Sequence, residues 1–247
     1  PNVSFSGDHF HRPMFMSDDF VEYTGSVMSI DPSGRGKDET GYAVVKMLNG
    51  YQYVRRCGGI AGGYTEEVLQ QLAKIAKDEG VNEIIVESNF GDGMFSQLFT
   101  PTLNNIYPCT ISEVRHSKQK ELRITDVLEP VMNQHRLIID KKVIKNDFES
   151  CQHLPPEQAL RYQLFYQLTR ITRDRGALVN DDRLDALAMA VQYWVDAMAQ
   201  DVENRMAVRR DQLMQDELKR MHMQHKAGFA ILTGHNLQDT SGSTYKW

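Results

Sequence analysis

The stretch SVMSIDPSGRGKDETGYAVVKMLNGYQYVRRCGGI, residues 26–60, decides the fold class. It opens on a short apolar run that ends at Asp31, then breaks in a loop too rich in Gly and Pro to stay in a sheet. Two β-rich runs follow, GYAVVKML and GYQYVRRCGGI, separated by Asn49 and Gly50, a strong local hairpin signal. Three consecutive antiparallel strands are therefore expected. The next segment, YTEEVLQQLAKIAKDEG, places Val68, Leu69, Leu72, Ile75 and Ala76 on one side of a helix, and Gly80 is suited to ending it. NEIIVES then reads as a compact buried strand whose polar end is Glu87. Hairpin, helix and short strand in that order indicate an α/β or α+β domain rather than a bundle or a sandwich.

Working outward, a helix is expected over 91–103, a strand in PCTISEVR, and a helix in KQKELRITDVLEPVMNQ carrying Leu122, Ile124 or Thr125, Val127 or Leu128, and Met132 on its apolar side. LIID reads as a short edge strand and KKVIKNDFESCQHL as a helix. From Asp181 the periodicity sharpens: Leu184, Leu187 with Ala188, Val191, Trp194 with Val195, and Met198 form a wide apolar stripe. Val202, Met206, Leu213 or Met214, Leu218 and Met221 extend it along the same helix or a second one. Residues 1–24 read as an N-terminal arm that packs by its aromatics, 25–200 as the domain, and 201–247 as a helical extension ending in a mobile tail.

Composition narrows the function classes. The formal charge is 28 − 33 = −5, which argues against broad nonspecific nucleic-acid binding but is silent about a local basic face. Three widely spaced cysteines, Cys57, Cys109 and Cys151, exclude a dense disulfide scaffold and a CxxC metal site, so a reducing compartment is expected. No apolar run approaches the roughly 20 residues needed to cross a bilayer, and the expectation is a soluble, intracellular protein with no membrane partner.

Three acidic sites lie at the edges of structured elements. Asp31 ends the first strand, Glu87 ends a later strand, and DDRLD begins the long late helix, where Asp182 and Asp185 are three apart on neighbouring positions of one face and Asp181 is either a cap or a further ligand. If the strands ending in Asp31 and Glu87 are adjacent and parallel, the two acids emerge side by side at carboxyl ends, where open α/β sheets commonly build their sites. Gathered carboxylates repel one another, and hard divalent cations with oxygen ligands relieve that repulsion. Two Mg²⁺ or Mn²⁺ ions held there would orient water and stabilise both oxygens during phosphodiester cleavage. Taken one at a time, the same acids read as a turn residue, a solvated strand end and a helix cap; their joint placement brings the metal reading level with these.

Other chemistries find less support. GRGK lacks the GxxxxGK[ST] pattern of a Walker loop, and no second glycine-rich motif completes an actin-like ATPase. Ser88 lacks a GxSxG context, and His222 with His225 lacks the further ligands of a zinc site. Residues 111–180 carry 12 Lys/Arg against 9 Asp/Glu, a balance of +3 inside an acidic chain. Arg170, Arg173 and Arg175 form one positive group, and Arg115, Lys118, Lys120 and Arg123 another. Contacts from these groups to phosphate would be salt-dependent and largely blind to base sequence.

SVMSIDPSGRGKDETGYAVV, NEIIVESNFGDG and NDDRLDALAMAVQYW together resemble the C-terminal nuclease domain of a tailed-bacteriophage terminase large subunit of the short-tailed lytic type. The resemblance covers roughly residues 25–200. It implies an RNase H-like or resolvase-like α/β fold, a central mixed sheet flanked by helices, and cleavage of concatemeric viral DNA during genome packaging. It matches Asp31 to the first-strand acid and Glu87 to the central acid. The late acid is ambiguous: Asp182 with Asp185 resembles the spaced pair of resolvase-like relatives, and Asp181 with Asp182 the adjacent pair of some terminases. Asp31, Glu87, Asp182 and Asp185 are thus the catalytic candidates. Asp181 joins them as a metal ligand, Asp38 is a further metal-proximal candidate, and Arg35, Lys37, Lys118, Lys120, Arg170, Arg173 and Arg175 are the expected DNA contacts. The resemblance implies double-stranded DNA, an N-terminal ATPase motor, a small terminase subunit and a portal protein as partners, in the host cytoplasm at the viral procapsid. The motor's own motifs are absent from the chain. A Holliday-junction resolvase and a non-catalytic DNA-binding module of a packaging assembly are the alternative readings.

Overall fold

The structure is a computed structural model that describes residues 2–3, 9–10, 21–33, 39–88 and 93–233, with side chains placed between residues 21 and 221. Two short strands, β1 (Asn2–Val3) and β2 (His9–Phe10), pair antiparallel. The central sheet is built from β3 (Gly25–Asp31), β4 (Glu39–Leu48), β5 (Tyr51–Ala61), β6 (Glu83–Glu87), β7 (Thr110–Val114) and β8 (Leu137–Ile139), in the order β7-β6-β3-β4-β5-β8. β3, β4 and β5 are the expected antiparallel meander, and β6 and β8 add in parallel at its two sides, to β3 and β5, making the sheet mixed. The β4–β5 turn is made by Asn49 (φ 52°) and Gly50 (φ 79°), the two positive-φ positions that a tight right-twisted hairpin demands.

Each face of the sheet has its own helical layer, because the strands alternate. Met28, Ile30, Val44, Ile84 and Val86 face α1 (Glu66–Glu79) and α2 (Met94–Ile106), packing on Val68, Leu72, Ala76, Phe99 and Leu103. Gly80 closes α1 in the left-handed conformation, returning its N–H to Ala76 and Lys77. Val27, Ala43, Val45 and Ile85 face the opposite way. They are covered by α3 (Lys120–Asn133), α4 (Lys141–Ser150), α6 (Leu164–Arg170) and the start of α7 (Asp182–Thr233); α5 (Pro156–Tyr162) precedes α6.

The start of α7 is what brings chemistry to the sheet. Residues 183–191 are buried on every side, and Ala186, Ala188 and Ala190 keep the helix thin enough to lie close on β3 and β4. Ser29 Oγ donates to Ala186 O at 2.5 Å. Gly41 is obligatory at this crossing, since a β-carbon there would stand 2.2 Å from Asp182 O. Trp194 further along donates its indole N–H to Val45 O at 3.0 Å.

Several local expectations change. The helix expected over 91–103 is Met94–Ile106. In α3 the apolar side holds Val131 rather than Met132, which is 39% exposed, because the phase is set by Ile124, Val127 and Leu128 together. Of the two alternatives left for the late segment, one helix or two, the structure has one, Asp182–Thr233. Chain contacts divide at Asp196 and Ala197 into two units, and the apolar residues of the second, including Val202, Met206 and Leu213, are exposed. Among the described residues no helix is long and apolar enough to cross a membrane. Most of the arm expected at 1–24, and the tail from 234, lie outside the described residues; Tyr23 packs edge-on against Tyr53 with centroids 5.3 Å apart.

Candidate metal centre

Alternation and register place the acids. β3 and β6 are adjacent and parallel, with Ile30 beside Val86, so Asp31 and Glu87 leave neighbouring carboxyl ends of the sheet. Each lies two residues beyond a side chain facing α3 and α7, Ser29 and Ile85 respectively, and therefore points to the same layer. The first turn of α7 delivers Asp185 to the same point. Carboxylate oxygens of Asp31, Glu87 and Asp185 lie within 4.8 Å of one another. Asp185 is fully buried, Glu87 buried and Asp31 half-buried.

α3 supplies the opposing charge. Lys120 Nζ is 2.9 Å from Asp185 Oδ2, 2.9 Å from Asp181 Oδ1 and 3.3 Å from Asp31 Oδ2. One turn on, Arg123 Nη2 donates to Asp185 Oδ2 at 2.9 Å and lies 3.6 Å from Glu87 Oε1. The pocket these residues enclose is also lined by Pro32, His116 and Lys118.

The electrostatics are unbalanced. Burial pushes Asp31 up to about 6; Lys120 opposes this while Asp185 and Asp181 reinforce it. Burial, then Asp185 and Asp31, push Glu87 up to about 7 against Arg123 and Lys120. Lys120 is held above its usual range because Asp185, Asp31 and Asp181 outweigh its own desolvation. Burial and Arg123 lower His116. Asp185 Oδ1 is only 2.7 Å from Arg123 Nη2 yet makes no hydrogen bond. Three carboxylates converging within 4.8 Å at the buried end of a pocket are the donor set a hard divalent cation takes. The residues present fit such an ion.

The other predicted residues fall into separate groups. Asp182 is outside the three-acid cluster, half-buried, with its carbonyl against Gly41. Asp181 immediately precedes α7 and meets the cluster through Lys120, while its carbonyl accepts the Asp185 N–H at 2.8 Å. Lys118 and Lys120 line the pocket. Arg173 instead pairs with Asp126 and Glu129 on the outer side of α3, at 3.0 and 3.6 Å, and Arg170 and Arg175 are exposed outside the pocket lining. Arg35, Lys37 and Asp38 lie outside the described residues.

In the sequence Arg123 reads only as one of a positive group, although it sits beside Ile124 in the buried stripe of α3, and a charge inside an apolar stripe is the signal that marks it. Arg183, Glu39 and Asp147, buried in the structure, carry no such signal.

Residues 30–137 match the family described as Terminase Bacteriophage T7, Ribonuclease H-like domain. The chain is also 41% identical over 231 residues to the terminase large subunit of Enterobacteria phage T3, an alignment covering 94% of this chain and 39% of that protein. The chain is homologous to the phage terminase large subunit. Its fold is ribonuclease H-like, a central mixed sheet between helical layers. It spans about two-fifths of the length of the T3 relative. Among solved structures, it is similar to the nuclease domain of the large terminase subunit of bacterial virus Sf6, with 15% identity, a TM-score of 0.49, and coverage of 70% of this chain and 90% of that one. It is likewise similar to the human cytomegalovirus terminase nuclease domain, with 15% identity, a TM-score of 0.48, and coverage of 69% and 84%.

Proposed function

We propose that the chain is a divalent-metal-dependent endodeoxyribonuclease that cuts the backbone of double-stranded, concatemeric viral DNA during genome packaging, with little base specificity. The observation that carries this reading is the convergence of Asp31, Glu87 and Asp185 within 4.8 Å in a pocket whose wall is basic. Homology over 94% of the chain to a terminase large subunit supports the substrate and the setting.

Asp31, Glu87 and Asp185 would hold the metal, two ions in this reading, with Asp181 at the margin. Divalent cations bound among such carboxylates activate water and stabilise charge that develops on a phosphate. The protein's own residues do the rest. Arg123 pins Asp185 and steadies Glu87, keeping both aimed into the pocket. Lys120 neutralises part of the acidic charge from α3. Lys118, on the pocket wall, is placed to meet a backbone phosphate without reading a base. The packed faces of β3, β6 and α7 exclude water from behind the acids, which strengthens each electrostatic contact inside.

The domain would act beside an ATPase motor, with a small terminase subunit and a portal protein, at the procapsid in the host cytoplasm. The test is to incubate the purified chain with supercoiled plasmid and Mg²⁺ or Mn²⁺. Nicks and breaks are expected, lost in Asp31→Asn and on chelation. Unchanged cleavage by a folded Asp31→Asn protein contradicts the site, binding without cleavage supports a DNA-binding module, and strong preference for four-way junctions supports a resolvase.

A further inference from the structure

A second charged cluster lies behind the acid pocket, around Arg183. This residue is 1% exposed, yet every guanidinium nitrogen has a partner. Nε and Nη2 form a fork on Glu39, at 3.0 Å to Oε2 and 3.2 Å to Oε1. Nη1 donates to Asp147 Oδ1 and to Ser150 Oγ, both at 2.9 Å. Asp147 in turn accepts the backbone N–H groups of Leu164 (2.8 Å) and Phe165 (3.2 Å), which open α6, and Gln167 of α6 accepts the Leu184 N–H at 3.1 Å. Cys57 of β5 donates its thiol to the Arg183 carbonyl at 3.4 Å. The first turn of α7 is thus tied to β4, β5, α4 and α6.

The tie to β4 bears on the acid pocket. Glu39 is the first residue of β4, and two residues later Gly41 is the registered partner of Asp31. Gly41 is also where α7 touches β4, against Asp182 O. Arg183 and Asp185 are two residues apart, so they leave the helix on opposite sides: one grips the strand paired with Asp31, the other faces Asp31 itself. Room for Glu39 is reserved too, since a β-carbon at Gly59 would overlap its carboxylate at 1.9 Å from Oε2.

We propose that Arg183 is a positioning residue: clamped on Glu39 and Asp147, it sets the separation of Asp185 from Asp31 and so the affinity of the acid cluster for its metal. The inference rests on the metal reading of that cluster. A planar fork fixes distance and direction together, which a single ammonium contact cannot do, so Arg183→Lys keeps the charge and loses the geometry. A displacement of about 1 Å among metal-holding groups is enough to cost activity heavily.

The test is Mn²⁺ titration calorimetry on the whole 247-residue chain, with plasmid cleavage alongside, for wild type, Arg183→Lys and Glu39→Gln. Leu72→Ala, in the core on the opposite face of the sheet, serves as a control for general destabilisation. Both clamp variants are expected to bind Mn²⁺ at least tenfold more weakly and to cut tenfold more slowly at limiting Mn²⁺. KM for DNA should stay within twofold, and cleavage should recover at saturating Mn²⁺. Leu72→Ala should bind as wild type does. A folded Arg183→Lys or Glu39→Gln protein with wild-type Mn²⁺ affinity overturns the proposal, as does an equal loss in Leu72→Ala. If wild type binds Mn²⁺ without cutting DNA, the nuclease reading fails while the affinities still decide the clamp; if wild type binds no Mn²⁺, both fall.

Discussion

Arg183 and Asp185 occupy the same turn of α7 and belong to two charge clusters of opposite character. Behind the helix, the Arg183 guanidinium is held by Glu39, Asp147 and Ser150, and the spare lone pairs of Asp147 are taken by the start of α6. In front, Asp31, Glu87 and Asp185 crowd together; Asp185 Oδ1 makes no hydrogen bond, and Asp31 and Glu87 are both raised well above ordinary carboxylates. Saturation behind and frustration in front are two uses of buried charge. A satisfied cluster specifies where elements sit, whereas carboxylates crowded against one another store repulsion that a bound cation would relieve.

The largest effect is expected in the front cluster: Asp185→Asn should lower plasmid cleavage by roughly a thousandfold, the rate equivalent of several kcal/mol of lost metal-assisted stabilisation, while the melting temperature holds or rises. Asp182→Asn, outside the cluster, should change the rate less than threefold. Equal losses in the two would remove the distinction between Asp185 and its neighbour. In the rear cluster the effect should be on stability. Asp147→Ala leaves Arg183 paired with Glu39 but takes the acceptor from the Leu164 and Phe165 N–H groups that open α6, and should cost about 2–3 kcal/mol in denaturant unfolding; a cost near zero would show that the rear cluster does not hold the fold.

The smallest effect concerns pH. In the metal-free protein, folding raises Asp31 to about 6 and Glu87 to about 7, so between pH 4 and 7 the folded state binds more protons than the unfolded one. Stability from these groups is fully present at the acid end and is lost as pH rises through their folded values. Melting temperature should fall over that range more steeply in wild type than in Asp31→Asn, and saturating Mg²⁺ should flatten the difference. Parallel profiles would mean that the acids do not repel as described.

How much of this was legible before folding depends on the kind of residue. The meander, the turn at Asn49 and Gly50, and the acids Asp31 and Glu87 were readable, because strand ends and alternation are local properties. The late acid was not. DDRLD offers three aspartates within one helical turn, and which faces the sheet is decided by a close approach at Gly41 and Ala186 that pairs residues more than 140 positions apart. α5 and α6 are seven residues each, too short for periodicity to declare them. Arg183, Glu39 and Asp147 were invisible for the same reason: each looks like an ordinary surface charge until tertiary packing buries it.

Whether the front cluster is a metal centre is decided by an anomalous difference map from crystals of the chain grown with Mn²⁺. The metal assignment requires peaks within about 2.0–2.6 Å of oxygens from Asp31, Glu87 and Asp185, with none at Arg183. A well-ordered pocket in which Lys120 still bridges Asp31 and Asp185 and no anomalous peak appears would contradict it.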